Sequence, residues 1–258
     1  MDTESTTPKV PVKGIHLLPN LLTTAALFSG FYGIVAAIDQ HFASAGAAVF
    51  VAMVFDTLDG RTARATGTES AFGKEYDSLA DMVSFGLAPA IIAYQWGVVR
   101  IAEYGRAWGR LGWLAAFVYA ACAALRLARF NARAATADKR YFEGLPSPSA
   151  AAIVAAFIWF SSEWREPGLP GLIVAFGITA VAGLLMVSRF GYPSFKKMDL
   201  DRRVRFAGLL GVVLFFVLVA LDPPTVLLSV FSLYAVSAPL LWVLRRLRRQ
   251  GRGPQPAT

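Results

Sequence analysis

Long apolar runs separated by short polar stretches make up most of the chain. A helix needs about 20 mainly apolar residues to cross a bilayer, and helices satisfy every backbone donor and acceptor within one segment. The pattern therefore predicts an all-α fold, a polytopic transmembrane bundle of about eight helices. Its apolar runs are His16–Ile38, Phe42–Leu58, Met82–Val99, Leu111–Ala128, Ser149–Ser161, Leu172–Val187, Phe206–Ala220 and Val226–Leu244.

The composition supports a membrane protein with one compact bundle. Of the 258 residues, 56% are hydrophobic and only 16% are charged, whereas about a quarter of the residues in a soluble domain are charged. The polar segment 1–14 lacks the features of a cleavable signal peptide, so we expect a flexible cytosolic tail followed by a retained first helix. The single cysteine, Cys122, lies in an apolar run and is expected to be a core residue.

The basic residues are distributed unequally between the predicted loops. With the N-terminus in the cytosol and eight crossings, 21 Lys and Arg residues fall on the cytosolic side, and only Arg100, Arg106, Arg110 and Arg165 fall outside. This bias predicts that both termini of a multi-pass cell (inner) membrane protein face the cytosol. It explains the net charge of +8 and the basic cytosolic tail 246–258 without nucleic acid, and the tail adds attraction to anionic lipid headgroups.

Four aspartates lie between the second and third apolar runs, in a chain where charge is scarce. Asp56 and Asp59 are three residues apart, and Asp77 and Asp81 are four apart, so each pair projects from one face of a helix. Acidic residues at membrane depth are costly and usually functional. The alternative is a set of surface caps and ion pairs with Arg61, Arg64 and Lys74.

The helices around these aspartates should form a tight cytosolic hairpin. We expect the second helix to continue to Arg64 and the third helix to begin near Asp77. Between them, Gly67 and Gly73 allow a tight turn. Two antiparallel helices would then bring the four carboxylates together close to membrane depth.

Such a cluster favours divalent cations. Crowded carboxylates repel one another, and ligation by oxygen alone suits Mg²⁺, Mn²⁺ or Ca²⁺. The two histidines, His16 and His41, lie far from the aspartates in sequence, which disfavours zinc.

Small residues next to the aspartates leave open backbone. Gly60, Ala63 and Gly73 give room for a flat or phosphorylated ligand, although small residues also serve close helix packing. Arg64, two turns beyond Asp56, can pair with phosphate. Two metals, an arginine and open backbone predict a phosphoryl-transfer site.

The spacing of these residues resembles the signature of the CDP-alcohol phosphotransferase family, whose members transfer a phosphoryl group from a CDP-linked alcohol to an acceptor hydroxyl and release CMP. All eight fixed positions match in Asp56-x₂-Asp59-Gly60-x₂-Ala63-Arg64-x₈-Gly73-x₃-Asp77-x₃-Asp81. The resemblance implies a six-helix transmembrane core at 15–205, followed by an additional helix pair at 206–245.

Further phrases resemble the bacterial phosphatidylserine synthase branch of this family. They are "LPNLLT" at Leu18–Thr23, "YDSLADMVSFGLAPA" at Tyr76–Ala90, "LRLARFN" at Leu125–Asn131, "GLPSPSAA" at Gly144–Ala151 and "YPSFKK" at Tyr192–Lys197. Tyr76 replaces the phenylalanine of the second phrase, with no evident consequence. This resemblance implies a CDP-diacylglycerol donor, L-serine as acceptor, and a homodimer.

The resemblance also implies residue roles. Asp56, Asp59 and Asp77 match shared ligands of two divalent cations, Mg²⁺ or Mn²⁺, and Asp81 matches a metal ligand that is also the general base. The expected contacts to the CDP-lipid are Asn20, Thr23, Gly60, Ala63, Arg64, Ser70 and Gly73.

The acceptor site is less strongly indicated. Arg126 and Arg129, with Asn131 nearby, are placed to hold the serine carboxylate, or they are ordinary positive-inside anchors. Ser147 and Ser149 either line the pocket or break the chain between helices.

Three alternative functions stay open from the sequence. The first is the same chemistry with glycerol 3-phosphate or inositol as acceptor. The second is an ion transporter, which would place acids at mid-membrane on several helices, and the third is a purely structural membrane anchor.

Overall fold

The computed structural model describes residues 17–133, 141–162, 168–193 and 206–250. The described residues form nine α-helices, one π-helical turn, one 3₁₀ helix and a two-stranded antiparallel sheet. In chain order these elements are α1 (Leu17–Ile38), α2 (Phe42–Thr66), α3 (Ala71–Asp81), the π turn (Met82–Leu87), α4 (Ala88–Trp96), the 3₁₀ helix (Val98–Tyr104), α5 (Arg106–Arg133), β1 (Tyr141–Glu143), α6 (Ser147–Ser161), α7 (Leu169–Val187), β2 (Gly191–Pro193), α8 (Phe206–Leu221) and α9 (Pro223–Gln250).

Five of these helices are long and apolar enough to cross a membrane, namely α1, α2, α5, α7 and α9. A sixth candidate runs from Ala71 to Tyr104 with a 47° bend near Gly97, and α6 and α8 are shorter apolar helices. The predicted helical bundle is therefore confirmed, with a helix at each of the eight predicted runs, and the protein is a multi-pass membrane protein. The β1–β2 pair is the one departure from an all-helical fold within the described residues.

The third helix differs from its prediction. It begins at Ala71 rather than near Asp77, because Ser70 adopts an extended conformation and its side chain accepts a hydrogen bond from the Gly73 amide at 3.0 Å. Gly73 thus lies inside a helix and not in the turn. Gly67 alone supplies the turn geometry, with φ +64° at the C-terminal cap of α2.

The centre of the bundle is α6, whose residues 150–158 are all buried or nearly so. It packs against α2, α7 and α9. Small side chains make this packing possible: a Cβ at Gly46 of α2 would lie only 2.8 Å from the Ala155 carbonyl oxygen. The predicted core residue Cys122 is buried in the same cluster.

The π turn immediately follows Asp81 and is held by a tyrosine. Pro89 has no amide hydrogen for the Phe85 carbonyl, its normal α-helical partner. The buried Tyr119 hydroxyl of α5 donates to that carbonyl at 3.1 Å. This bond gives the Phe85 carbonyl a donor in an environment where unpaired backbone groups are costly.

A second tyrosine has the same role between the core and the last helix pair. Pro239 cannot donate to the Ala235 carbonyl within α9, and the buried Tyr192 hydroxyl of β2 donates to it at 2.8 Å. Burial, and to a smaller extent the neighbouring Tyr234, raises the pKa of Tyr192 to about 12. The hydroxyl therefore stays protonated and can donate this hydrogen bond. The bond fastens α9 to the core.

Candidate active site

The predicted hairpin of α2 and α3 brings three carboxylates together. Oxygen atoms of Asp56, Asp59 and Asp77, which we call the aspartate trio, all lie within 4.8 Å of one another. Asp59 is 4% exposed and the other two are half-buried. Three negative charges at this distance repel strongly unless a cation lies between them. Since all the donors are carboxylate oxygens, the trio supports divalent metal binding of the Mg²⁺ or Mn²⁺ type.

Asp81 lies one helical turn beyond Asp77 and outside the trio. Its carboxyl group contacts that of Asp56, and it is close enough to Arg126 of α5 for electrostatic attraction. Asp81 is the last residue of α3, directly before the π turn. A π turn shifts the residues that follow it relative to a regular helix, and here it separates the α3 carboxylates from the regular helix that continues as α4.

The start of α1 supports the trio. The Thr23 hydroxyl lies 2.6 Å from Asp59 Oδ2 and 3.1 Å from the Pro19 carbonyl oxygen. These two oxygens therefore share the Thr23 hydroxyl as a hydrogen-bond donor. One residue on, Thr24 and Tyr76 share a hydrogen bond of 2.9 Å that joins α1 to α3. The hydroxyl that distinguishes Tyr76 from phenylalanine therefore has a structural consequence, which the sequence did not reveal.

A pocket of about 480 Å³ opens beside the trio. This volume is in the range of small-molecule and cofactor sites. The pocket is lined by Asp59 and Asp77 of the trio and by all seven residues expected to contact the CDP-lipid: Asn20, Thr23, Gly60, Ala63, Arg64, Ser70 and Gly73. Gly73 has tight surroundings, since a Cβ there would lie 3.1 Å from Ser70 Oγ and 3.4 Å from Asn20 Oδ1, whereas a Cβ on Gly60 would meet only the Arg64 side chain at 3.4 Å.

Sequence reasoning missed several lining residues. Lys74 adds a second cation beside Arg64, and Thr68 and Glu69 lie in the turn between α2 and α3. Lys74 precedes Asp77 by three residues, so both lie on one face of the same helix. This spacing could have predicted that Lys74 contacts a phosphate. Thr68 and Glu69 carried no such signal, because the turn conformation decides which of its side chains face the pocket.

The three residues expected to bind serine have different surroundings. Arg126 is buried and donates from Nη1 to Ser147 Oγ at 2.7 Å. Arg129 donates to the Val187 carbonyl at 3.2 Å, and Asn131 donates to Ser78 Oγ of α3 at 2.7 Å. Arg126 also lies within electrostatic range of Asp81.

Comparison with known proteins agrees with this geometry. The family model for CDP-alcohol phosphatidyltransferase matches residues 16–189. The CDP-diacylglycerol–serine O-phosphatidyltransferase of Helicobacter pylori (strain ATCC 700392 / 26695) is 35% identical over 237 residues, covering 91% of this chain and 94% of the relative. The archaetidylserine synthase of Methanothermobacter thermautotrophicus is 36% identical over 178 residues, covering 68% of this chain and 69% of the relative.

Solved structures also match. The phosphatidylinositol phosphate synthase of Mycobacterium tuberculosis with CDP-DAG bound aligns with a TM-score of 0.49 and 19% identity, over 67% of this chain and 82% of that one. On the family match over residues 16–189 and the identity to relatives along most of its length, this chain belongs to the CDP-alcohol phosphatidyltransferase family.

Proposed function

We propose that the protein transfers the phosphatidyl group of CDP-diacylglycerol to the hydroxyl of L-serine, giving phosphatidylserine and CMP in phospholipid biosynthesis. The observation that carries this proposal is the 35% identity, along almost the whole of both chains, to a relative named for that reaction. The aspartate trio beside a pocket of nucleotide size agrees with it.

Asp56, Asp59, Asp77 and Asp81 would hold two divalent cations, Mg²⁺ or Mn²⁺. When bound, the cations supply positive charge that neutralises the pyrophosphate of the donor, which is the main catalytic requirement for attack on an anionic phosphorus. Thr23 orients the Asp59 carboxylate through its 2.6 Å hydrogen bond. A hydrogen bond of this kind fixes the orientation of a metal-binding carboxylate before the ion binds.

The pocket residues bind the CDP portion of the donor. Arg64 and Lys74 offer positive charge to phosphate oxygens. Gly60 and Gly73 let the ligand approach the helix backbones of α2 and α3. The remaining proposed contacts are Asn20, Thr23, Ala63 and Ser70.

Asp81 acts as the general base. It takes the proton from the serine hydroxyl, whose oxygen forms a bond to the lipid-side phosphorus. The bond from that phosphorus to the bridging oxygen breaks, and CMP leaves with the electron pair. Arg126, beside Asp81, attracts the serine carboxylate, with Arg129 and Asn131 at the same helix end as further contacts.

In the cell the protein is proposed to lie in the inner membrane as a homodimer. The active site and both termini face the cytosol, as the distribution of 21 basic residues against 4 indicates. The transmembrane core spans 15–205, the additional helix pair 206–245, and the tails are 1–14 and 246–258. A reporter fused after Thr258 should be active in the cytosol, and a reporter active only outside the cell would contradict this topology.

The deciding experiment identifies the lipid product. Purified protein is incubated with CDP-diacylglycerol, Mg²⁺ or Mn²⁺, and one acceptor at a time: L-serine, glycerol 3-phosphate or inositol. We expect phosphatidylserine and an equal amount of CMP with serine. Product formed only with one of the other acceptors would move the reaction to another branch of the family, and no CMP release with any acceptor would reject the reaction class.

A further inference from the structure

A buried cation next to Asp81 stands apart from the donor pocket. Arg126 is only 9% exposed, and one end of its guanidinium is held by Ser147. Its Nε is buried and has no hydrogen-bond partner among the described residues. A buried charged donor without a partner is unfavourable, which makes this nitrogen a place where a ligand atom would bind.

The groups around Arg126 come from separate parts of the chain. The carboxyl group of Asp81 in α3, the side chain of Tyr234 in α9 and the Arg129 guanidinium all lie within electrostatic range of Arg126. Tyr234 belongs to the last helix pair, outside the predicted six-helix core. We call Arg126, Ser147 and Tyr234 the arginine centre.

Two contacts fix the position of Tyr234. Its ring packs against Tyr192 with centroids 5.4 Å apart, and the Tyr192 hydroxyl bonds to the carbonyl of the very next residue, Ala235. The α9 helix is therefore anchored at the level of Tyr234 and not merely in contact with lipid. A residue that binds a substrate has to be held in place by its neighbours, and these two contacts do so for Tyr234.

Ser147 is positioned by a turn with strict steric demands. Gly144 has φ +81°, and a Cβ there would collide with the Met186 carbonyl, so only glycine fits. The turn leads from β1 into α6 and places the almost fully buried Ser147 against the guanidinium.

We propose that the arginine centre binds the carboxylate of the acceptor amino acid, with Tyr234 of α9 as a specificity-determining residue and Ser147 as a positioning residue. Arg126 Nε supplies one N–H of the paired bonds by which a guanidinium holds a carboxylate. The Tyr234 hydroxyl donates to the same carboxylate. This deepens the proposed function and rests on it, and it makes acceptor choice depend on a helix outside the core.

The test compares two tyrosine variants that each lose one hydroxyl. Tyr234→Phe should raise the KM for serine about tenfold, the effect of losing a hydrogen bond to a charged group, with little change in the KM for CDP-diacylglycerol. The ratio of kcat/KM for serine to kcat/KM for ethanolamine, which has no carboxylate, should fall by the same factor. Ser147→Ala should also raise the serine KM more than it lowers kcat.

The matched control is Tyr192→Phe. It leaves the Ala235 carbonyl unpaired and loosens the anchor of Tyr234, so it should lower the Tm. It should raise the serine KM much less than Tyr234→Phe does, because it keeps the hydroxyl that is proposed to bind the carboxylate. Equal effects of Tyr234→Phe and Tyr192→Phe on the serine KM would overturn the inference, since both would then act only through helix packing. Wild-type protein that makes no phosphatidylserine overturns both the inference and the proposed function, whereas phosphatidylserine synthesis with an unchanged serine KM in Tyr234→Phe overturns the inference alone.

Discussion

The aspartate trio and the arginine centre are built in opposite ways. The trio comes from one hairpin, with all three carboxylates within a continuous stretch from Asp56 to Asp77. The arginine centre draws on α5, α6 and α9, and its members Arg126 and Tyr234 lie in helices far apart in the chain. The proposed donor site is thus encoded locally, whereas the group next to Asp81 is assembled by the packing of the whole bundle.

This difference suggests how one reaction can serve several acceptors. Changes in α5, α6 or α9 can alter the arginine centre without moving the carboxylates of α2 and α3. The comparison predicts that damage to the trio stops all turnover, whereas damage to the arginine centre changes which acceptor is used.

The largest effect should follow removal of metal. Exhaustive treatment with EDTA should reduce CMP release to background, because the trio would leave three uncompensated carboxylates facing an anionic pyrophosphate. Adding Mg²⁺ or Mn²⁺ should restore the activity. EDTA already saturated with Mg²⁺ is the control, and full activity after chelation would exclude a metal-dependent reaction.

Asp81→Asn should lower kcat by about 10²- to 10⁴-fold, the usual contribution of a general base. The amide keeps the shape of the side chain but cannot take the proton, so CDP-diacylglycerol binding and the fold should persist. CMP release is the measurement. The control is Asp39→Asn, which changes an exposed aspartate between α1 and α2. Near-normal turnover of a folded Asp81→Asn protein would show that Asp81 is not the general base.

Arg126→Lys should raise the KM for serine by about ten- to a hundredfold, since a bond between charged groups contributes about 1.5–3 kcal/mol. The KM for the lipid donor should stay nearly constant. In the wild type, ethanolamine should be a poor acceptor because it has no carboxylate for Arg126 to bind. Arg61→Lys, an exposed arginine of α2 that does not line the pocket, is the matched control, and equal rates with ethanolamine and serine would contradict recognition of the carboxylate.

Tyr76→Phe should have the smallest effect, a loss of about 0.5–1.5 kcal/mol in stability. It removes the 2.9 Å bond to Thr24 that joins α1 to α3, while the stacking of its ring on Phe72 remains. Thermal unfolding in detergent is the measurement. The exposed Tyr104→Phe serves as reference, and identical Tm values for the two variants would show that the α1–α3 bond adds nothing.

Much of this protein could be predicted from its sequence. The eight apolar runs predicted the helices, because the length and hydropathy of a membrane span are properties of a contiguous segment. The spacing from Asp56 to Asp81 predicted four carboxylates close together, because two helices joined by a short turn can bring their facing side chains together in few ways. Three of the four form the trio, and Asp81 contacts Asp56 beside it. The residues around the aspartates predicted four of the pocket-lining residues, Gly60, Ala63, Arg64 and Gly73, and the resemblance to the family added Asn20, Thr23 and Ser70.

Only the tertiary structure decided the rest. Arg126 and Arg129 look equivalent in sequence, yet one lies buried beside Asp81 and the other bonds to the Val187 carbonyl. Likewise, Tyr119 and Tyr192 each satisfy a carbonyl whose helical partner is a proline, Pro89 and Pro239 respectively. The physical reason is that periodicity determines which residues share a face of one helix, whereas the packing of helices from distant parts of the chain determines which faces meet.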